Sequence, residues 1–456
     1  MTYDEALVYL DSLTNFEQTH DPQAMRNVKL ERMQALCERL GQPQRLFRSV
    51  LVGGTNGKGS ICAMIYTILR AANLRVGLYT SPHLHDVRER IRVSLQPSAG
   101  SGEVLDGSDA ISQDEFAALI DRLRLVMQEW NGRAPGGLPT YFEALTAAAL
   151  LHFAKSGVQL AVLEVGLGGR LDATNVVEPA VSAFGPVGLD HTDVLGEDLV
   201  TIAREKAGII RPRRAVISAS QQPAVSALLR EVAQDAPLLE YGQQLSAEIL
   251  AHDPQGMRLA IQGMRGRYGD LRLPLVGRHQ AENATVAVAA VEALADEGVP
   301  HSPVRSGLAA VRWPGRLEVV QEKPVVVLDG AHNPQAVQAL KGTLEELWPG
   351  RTIHLLIGVS QDKPLQALGE TLGSFASSIT CTRSRHPRAC EPQRLAEQLT
   401  STHRPITVIP DAVDAYTYLL NTVPSDDLIV VTGSLFLVGE LRAALRQTQA
   451  RAKTDP

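Results

Sequence analysis

Cysteine is scarce: Cys37, Cys62, Cys381 and Cys390 are the only four in 456 residues, and no two form a CxxC pair. That spacing argues against a zinc site and against a disulfide framework. An excess of positive charge is missing too. With 44 Lys and Arg against 50 Asp and Glu, the net charge is -6 and the pI about 6.1, whereas a dedicated nucleic-acid binder carries a basic stripe. Short clusters such as Arg211-Pro212-Arg213-Arg214 read as solvated surface, so no nucleic-acid partner is expected. The longest apolar runs are too short, and too often broken by glycine, to cross a bilayer. The opening Met1-Thr2-Tyr3-Asp4-Glu5 is acidic and polar, unlike a secretory signal. These absences predict a soluble, cytoplasmic protein with no membrane partner. Its length suits two or three domains with large cores.

What is present centres on residues 47–65. An apolar run, Val50–Val52, stops at Gly53-Gly54, and a helical pattern begins at about Gly59. Between them lies a loop of small residues with one lysine, Lys58. Strand, glycine-rich loop and helix in that order make a phosphate cradle. Glycines let backbone N–H groups turn inward, the helix N-terminus adds its positive end, and Lys58 supplies a point charge. Ser60 offers a hydroxyl to a metal or a phosphate oxygen. The strict pattern GxxxxGK[ST] is not met, because Gly59 separates Lys58 from Ser60. The loop is a variant cradle or a glycine-rich turn that binds nothing, and the order of elements favours the cradle.

Along the chain, apolar spacing predicts helices over 2–14 and 28–40, then helix 59–72 and a strand Val76–Tyr79 that completes a βαβ unit. Residues 96–110 are small and polar and read as a surface insertion. Helices follow at 112–130 and 140–155. Leu160–Val165 is a near-continuous apolar strand, as expected for one covered on both faces, and Val181–Val187 is another. A helix over 198–210, strands with turns over 215–220 and 238–275, and a helix over 280–296 complete the first half. After Trp313-Pro314-Gly315-Arg316 the alternation restarts. Strands are expected at 325–328, 353–357, 377–381, 405–409 and 428–431, with helices at 334–346, 364–373, 391–400, 411–421 and 436–447. This alternation implies two α/β domains with mainly parallel sheets. The expected division is an N-terminal P-loop-type ATPase domain over 1–312, a hinge linker over 313–322, and a smaller Rossmann-like α/β domain over 323–456.

Ligands in open α/β sheets sit beyond the C-terminal strand ends. The Lys58 loop, Ser81, Glu164 and His191 all fall there. A hydroxyl, a carboxylate and an imidazole converging on a phosphate loop can hold Mg²⁺ between nucleotide phosphates. Glu164, inside an apolar strand, needs a partner if buried. Ser81 before a proline is also a common turn residue, and a lone histidine such as His191 is more often structural. Lys206 has two readings. Spacing alone makes it an exposed helix lysine beside Glu205, whereas burial near Mg²⁺ would favour the neutral amine that adds CO₂ to give a carbamate. In the second half, Asp329 can take a ribose hydroxyl pair, His332-Asn333 can cap the next helix, and Arg316 can reach a γ-phosphate from between the domains.

Six segments occur in order: Gly54-Thr-Asn-Gly-Lys-Gly-Ser60, Thr80-Ser-Pro-His-Leu84, Glu164-Val-Gly-Leu-Gly-Gly-Arg-Leu-Asp-Ala-Thr-Asn175, Gly188-Leu-Asp-His191, Arg204-Glu-Lys-Ala-Gly208 and Asp329-Gly-Ala-His-Asn-Pro334. Over about residues 26–440 the chain resembles the folylpolyglutamate synthase/dihydrofolate synthase family of the Mur ligase superfamily, whose loop GTNGKG[ST] contains the extra glycine. The resemblance implies an ATP-dependent amide ligase that phosphorylates a carboxylate of dihydropteroate or a folate and lets the amino group of L-glutamate displace the phosphate. It implies ATP contacts at Asn56, Gly57, Lys58, Gly59, Ser60, Asn283, Arg316, Asp329 and His332. Ser81, Glu164, His191 and a carbamylated Lys206 would be magnesium ligands, with two metal sites and a monovalent cation. Lys58, Lys206 and His191 would carry the catalysis. Asn27, Val28, Thr140, Tyr141, Phe142, Glu143, Leu171, Asp172 and Ala173 would form the pterin pocket, and the protein would be a monomer. Gly358-Val-Ser-Gln-Asp-Lys-Pro364 follows the family's DKD-type stretch only loosely, so Asp362 and Lys363 receive no role.

Two other readings compete. A Mur-type cell-wall ligase would share the chemistry but carries a substantial domain before the phosphate loop, where this chain has about fifty residues. A nucleotide-regulated binding module would keep Lys58 and could dispense with Glu164, His191 and Lys206.

Overall fold

The apolar run around Val50 forms strand β1 (Arg48–Gly53), in which every residue after Arg48 is buried. It pairs in parallel with β4 (Leu160–Glu164) on one side and β5 (Val181–Phe184) on the other. A strand paired at both edges and covered on both faces leaves no polar surface, hence the unbroken run of apolar side chains. With β2 (Val76–Tyr79), β3 (Ile91–Val93), β6 (Ala215–Ser218) and β7 (Leu238–Glu240) it builds a seven-stranded sheet of order β3-β2-β4-β1-β5-β6-β7. Only β3 runs antiparallel. The computed structural model describes residues 1–26, 28–94, 108–130, 137–295, 303–363 and 365–454.

On one face of this sheet the helix Lys58–Ala71 packs against the helices His279–Leu294 and Val304–Ala310. The alanines and valines of residues 284–291 keep side chains short, so the backbones approach closely and the layer excludes water. The helices Gln113–Glu129, Tyr141–Lys155, Leu199–Ala207 and Pro223–Ala233 cover the opposite face, joined by Tyr3–Asp11 and Leu30–Arg39. The expected strands with turns beyond 238 are the antiparallel sheet β8 (Ser246–Asp253), β9 (Gly256–Gln262) and β10 (Arg267–Leu273). It contacts the helix His279–Leu294.

A second sheet has the order β11-β12-β16-β13-β14-β15. Its strands are β11 (Glu318–Glu322), β12 (Val325–Leu328), β13 (Ile353–Ile357), β14 (Ser378–Arg383), β15 (Ile406–Asp411) and β16 (Leu428–Thr432). All pairs are parallel except β11 with β12. Helices Pro334–Leu347, Leu365–Gly373 and Pro392–Leu399 pack on one face, Ala412–Thr422 and Leu435–Thr454 on the other.

Three segments differ from expectation. The span 313–322 is no free linker, because its second half is the edge strand β11. Just before it Leu317 takes φ 46°, a conformation that costs a leucine about 1–2 kcal/mol, and its N–H donates to Asp329 Oδ2 at 2.9 Å. Residues 15–26, between the two expected N-terminal helices, contain two short ones, Phe16–Thr19 and Pro22–Arg26. Of the expected 96–110 insertion, 96–107 lie outside the described residues. Asp109 at its end is buried, accepting from Arg92 Nη1 at 2.7 Å and from Tyr66 Oη at 2.8 Å. A carboxylate this deep is stable only with such partners.

Candidate active site

The C-terminal ends of β1, β2, β4 and β5 open onto a cleft of about 670 Å³, whose far wall is built from residues 329–332, from others between Gln335 and Leu340, from Ser360, Lys363 and Arg388, and from residues 433–436. At the end of β1 the chain turns through Gly57, which takes φ 81°. A Cβ there would stand 2.5 Å from Asn283 Oδ1, so only glycine fits. Gly59, the extra glycine, lies under the Trp313 indole, and a Cβ would meet it at 3.0 Å. Asn283 Nδ2 donates to Gln280 Oε1 at 3.0 Å, and Gln280 Nε2 to Ser60 Oγ at 3.3 Å, which fixes the loop from behind. Lys58 folds back, with Nζ 3.3 Å from Gly54 O and 3.1 Å from Thr55 O.

The four residues expected around a metal all line this cleft. Glu164 is 6% exposed and accepts from the Ser81 N–H at 3.1 Å. His191 takes φ 50°, a sparsely populated conformation of the kind found at functional sites, and its Nδ1 is buried without a hydrogen-bond partner. Lys206 is 5% exposed, which overturns the exposed-helix reading, and its Nζ donates to Gly54 O at 3.0 Å. Both lysines therefore compete for one carbonyl. Among the described residues no three His, Cys, Asp or Glu gather as a closed cage. A hydroxyl and a carboxylate suit Mg²⁺, which takes oxygen ligands and keeps several waters, and the unused imidazole nitrogen of His191 is the less usual member of the set.

Burial sets the electrostatics. It raises the Glu164 carboxyl above its ordinary range, against the opposing pull of Lys58. Burial lowers His191 to about 4, so it stays neutral although Asp190 opposes the shift. Burial, helped by Lys58, lowers Lys206 to about 7, so a neutral amine is accessible near neutrality. Asp190 moves the other way: burial would raise it, but His191, Lys363 and His332 hold it well below the usual carboxylate range. His332 is lowered to about 4, first by burial, with Nδ1 2.8 Å from Gly330 O.

All nine residues expected to touch ATP line the cleft. One of them, and a neighbour of another, are also structural. Asp329 spends its oxygens on the N–H groups of Leu317 and Ala331, both at 2.9 Å. Asn333, next to His332, caps the helix Pro334–Leu347 through Ala336 N–H at 2.9 Å. On the pterin side Val28, Thr140, Phe142, Glu143, Leu171, Asp172 and Ala173 line the cleft. Tyr141 is turned away, beneath the Arg90 guanidinium at 5.7 Å, and Asn27 lies outside the described residues. Glu143 pairs with Arg32 at 2.8 Å and closes a capping box with Thr140.

Four other residues join the site although none was given a role from the sequence. Fully buried Arg90 grips both Glu17 oxygens, at 2.7 and 2.6 Å, and so seats residues 14–17 on the cleft. Lys363 Nζ reaches across to Asp190 Oδ1 at 2.9 Å. Arg388 Nη2 donates to Asp362 Oδ1 at 2.6 Å. Asp190, directly before His191 at a strand end, carried a usable signal; Arg388 lies in a basic run, Arg383 to Arg388, with none.

Two domain families match: the Mur ligase middle domain over residues 124–291, and the Mur ligase, glutamate ligase domain over 315–435. A curated relative, dihydrofolate synthase/folylpolyglutamate synthase of Bacillus subtilis, is 34% identical over 423 residues, covering 91% of this chain and 95% of its own. The chain belongs to that family. Among solved structures, Mycobacterium tuberculosis folylpolyglutamate synthase complexed with ADP and AMPPCP superposes with a TM-score of 0.82 at 34% identity, over 92% of this chain and 95% of its own. E. coli FolC in complex with DHPP and ADP gives 0.83 at 31%, over 98% and 99%. The Mur-type cell-wall enzymes are related at superfamily level only.

Proposed function

We propose that this protein is an ATP-dependent amide ligase that joins L-glutamate to dihydropteroate, to the glutamate tail of a folate, or to both. One observation carries the reading: Lys58, Glu164, His191 and Lys206 meet at the strand ends of one domain, while a second domain faces them across a cleft. A nucleotide phosphate would draw Lys58 off the carbonyls of Gly54 and Thr55, because an anion is the better partner for an ammonium. Loop N–H groups and Arg316 would hold the transferred phosphoryl group as it moves to the acceptor carboxylate. The amino group of glutamate then attacks the acyl phosphate, phosphate leaves, and an amide and a proton result. Val28, Phe142, Leu171 and Ala173 offer an apolar lining for a pterin ring, while the N–H and carboxylate groups nearby set its orientation.

Ser81, Glu164 and His191 would hold Mg²⁺, with Lys206 joining them as a carbamate once its amine has lost its proton. The metal's contribution when bound is to neutralise charge on the phosphates. No described helix is long and apolar enough to cross a membrane.

The test offers purified protein dihydropteroate and tetrahydrofolate separately, with ATP and L-glutamate, and follows phosphate release. Glutamate-dependent release with at least one acceptor is expected; release with neither overturns the reading.

A further inference from the structure

Within the ligase reading, on which this step rests, the attacking amino acid brings two carboxylates into the cleft, and each needs a cation. Most cations of the cleft are committed. Lys58 and Lys206 sit on the phosphate-loop carbonyls. Arg170 clamps Glu205 with three contacts between 2.9 and 3.2 Å. Arg26 is bonded to Asp193 O, and Lys363 to Asp190. Arg316 lies beside Asp329 and Glu164, at the phosphate end.

Arg388 differs. It lines the cleft from the loop after β14, and its side chain is only 12% exposed. One arm donates to Asp362 Oδ1 at 2.6 Å, and another to the Glu17 carbonyl at a weaker 3.3 Å. Its Nε is buried with no hydrogen-bond partner. Among the described residues lining the cleft, only His191 Nδ1 shares that condition. A buried guanidinium donor without an acceptor favours any small shift that supplies one. The planar fork of arginine matches a carboxylate in two-point contact. A chain of ion pairs, Arg388–Asp362–Lys363–Asp190, then leads to His191, with spacings of 2.6, 3.8 and 2.9 Å. Arg388 is thus tied to the reaction centre from the wall opposite the phosphate loop. Phosphates belong to the loop's wall; what must enter from the other side is the amine donor.

We infer that Arg388 binds a carboxylate of the incoming L-glutamate. The acceptor's own glutamate tail offers the same chemistry, and the Glu17 carbonyl that holds Arg388 belongs to another segment lining the same cleft. The experiment separates the two sources. Phosphate release is measured for the unmodified protein and for Arg388→Gln and Arg388→Lys, varying L-glutamate, ATP and acceptor in turn, with acceptors that carry no tail, one glutamate or two.

Loss of a hydrogen bond to a charged group predicts a rise of about 10- to 100-fold in KM for L-glutamate in Arg388→Gln. A smaller rise is expected in Arg388→Lys, which keeps the charge without the fork. KM for ATP and for every acceptor should stay within about twofold, a split that a merely structural arginine would not produce. Unchanged KM for glutamate overturns the inference, as does a rise confined to tail-bearing acceptors. Arg388→Lys serves if the glutamine variant does not fold. A crystal of the unmodified protein with a non-hydrolysable ATP analogue and L-glutamate gives a variant-free check: glutamate bound away from Arg388 overturns the inference. Failure of the unmodified protein to release phosphate with glutamate would instead defeat the ligase reading itself.

Discussion

The two walls of the cleft solve different problems. On the wall of the first sheet, functional groups are pressed into low-dielectric surroundings and turned on their own backbone. Lys58 and Lys206 share the Gly54 carbonyl, and Glu164 and His191 have shifted proton affinities. On the wall of the second sheet, side chains reach outward: Lys363 to Asp190, Gln335 to Asn56, Arg388 to the Glu17 carbonyl. The first wall stores strain and desolvation that a bound phosphate can relieve. The second supplies contacts that form only while the walls are close, as expected where closure commits a substrate. Substitutions on the first wall should therefore strike chemistry, and those on the second should strike binding and closure.

The largest effects belong to the first wall. Lys58→Ala and Glu164→Ala should each reduce glutamate-dependent ADP release by at least about 10²–10³-fold, the scale of losing one preorganised electrostatic contact; substantial turnover by either variant removes it from the site. Glu164 allows a sharper test, because its folded pKa is raised. The folded state then holds the proton more tightly than the unfolded chain, so this group stabilises the fold as pH falls and costs stability above its folded pKa. Glu164→Gln should lose activity yet melt at a higher temperature at neutral pH, with the gain shrinking in acid. A lower melting temperature at neutral pH would mean that the charge is paired rather than strained.

Lys206 comes next. Its amine is lowered to about 7, so CO₂ uptake should increase as pH rises through that value. A carbamate resonance from ¹³C-bicarbonate, present in the unmodified protein and missing in Lys206→Arg, is the expected signature. Activity of Lys206→Arg should fall by about 10²-fold. Full activity without a carbamate would reduce Lys206 to packing against the phosphate loop.

Much of the first wall was legible from sequence because local order dictates it. A glycine-rich turn between β1 and its helix has few alternatives, and Glu164 ends, while Ser81 and His191 follow, a strand whose apolar run can be read directly. The second wall was harder. Lys363 and Arg388 sit on loops whose composition resembles any solvated turn, and their partners across the cleft, Asp190 and Glu17, stand 173 and 371 residues away. Chain separation of that order leaves no periodic trace. Tyr141 shows the opposite failure. It lies between two residues that face the cleft, but the helix starting there turns its ring towards Arg90. The 313–322 span read as linker because β11 alternates weakly; the strand is a half-buried edge, and its pairing with β12 supplies the order.

Asp190→Asn moves the test to the junction of the walls. It leaves Lys363, only 8% exposed, with Asp362 at 3.8 Å as its remaining acid. A buried cation that loses its nearer partner destabilises the state that buries it, here the closed cleft. About a tenfold fall in kcat/KM is expected, with a larger radius of gyration in small-angle scattering when nucleotide is present. A kcat loss as deep as that of Glu164→Ala, with no change in scattering, would move Asp190 to the chemical wall.

The smallest effect is expected for Gln335→Ala. Gln335 accepts from Asn56 Nδ2 at 2.9 Å, and Asn56 Oδ1 in turn accepts from Asn333 Nδ2 at 3.0 Å, so a residue of the phosphate loop is held from the opposite wall by two neutral hydrogen bonds. One such bond contributes about 0.5–1.5 kcal/mol, or roughly two- to tenfold. Because Asn333 still holds the other end of Asn56, the lower part of that range should apply, read as a modest rise in KM for ATP at unchanged kcat. A fall in kcat with KM for ATP unaffected would show that Asn56 is needed in the reacting state itself, and the division of labour between the two walls would then fail at the point where they touch.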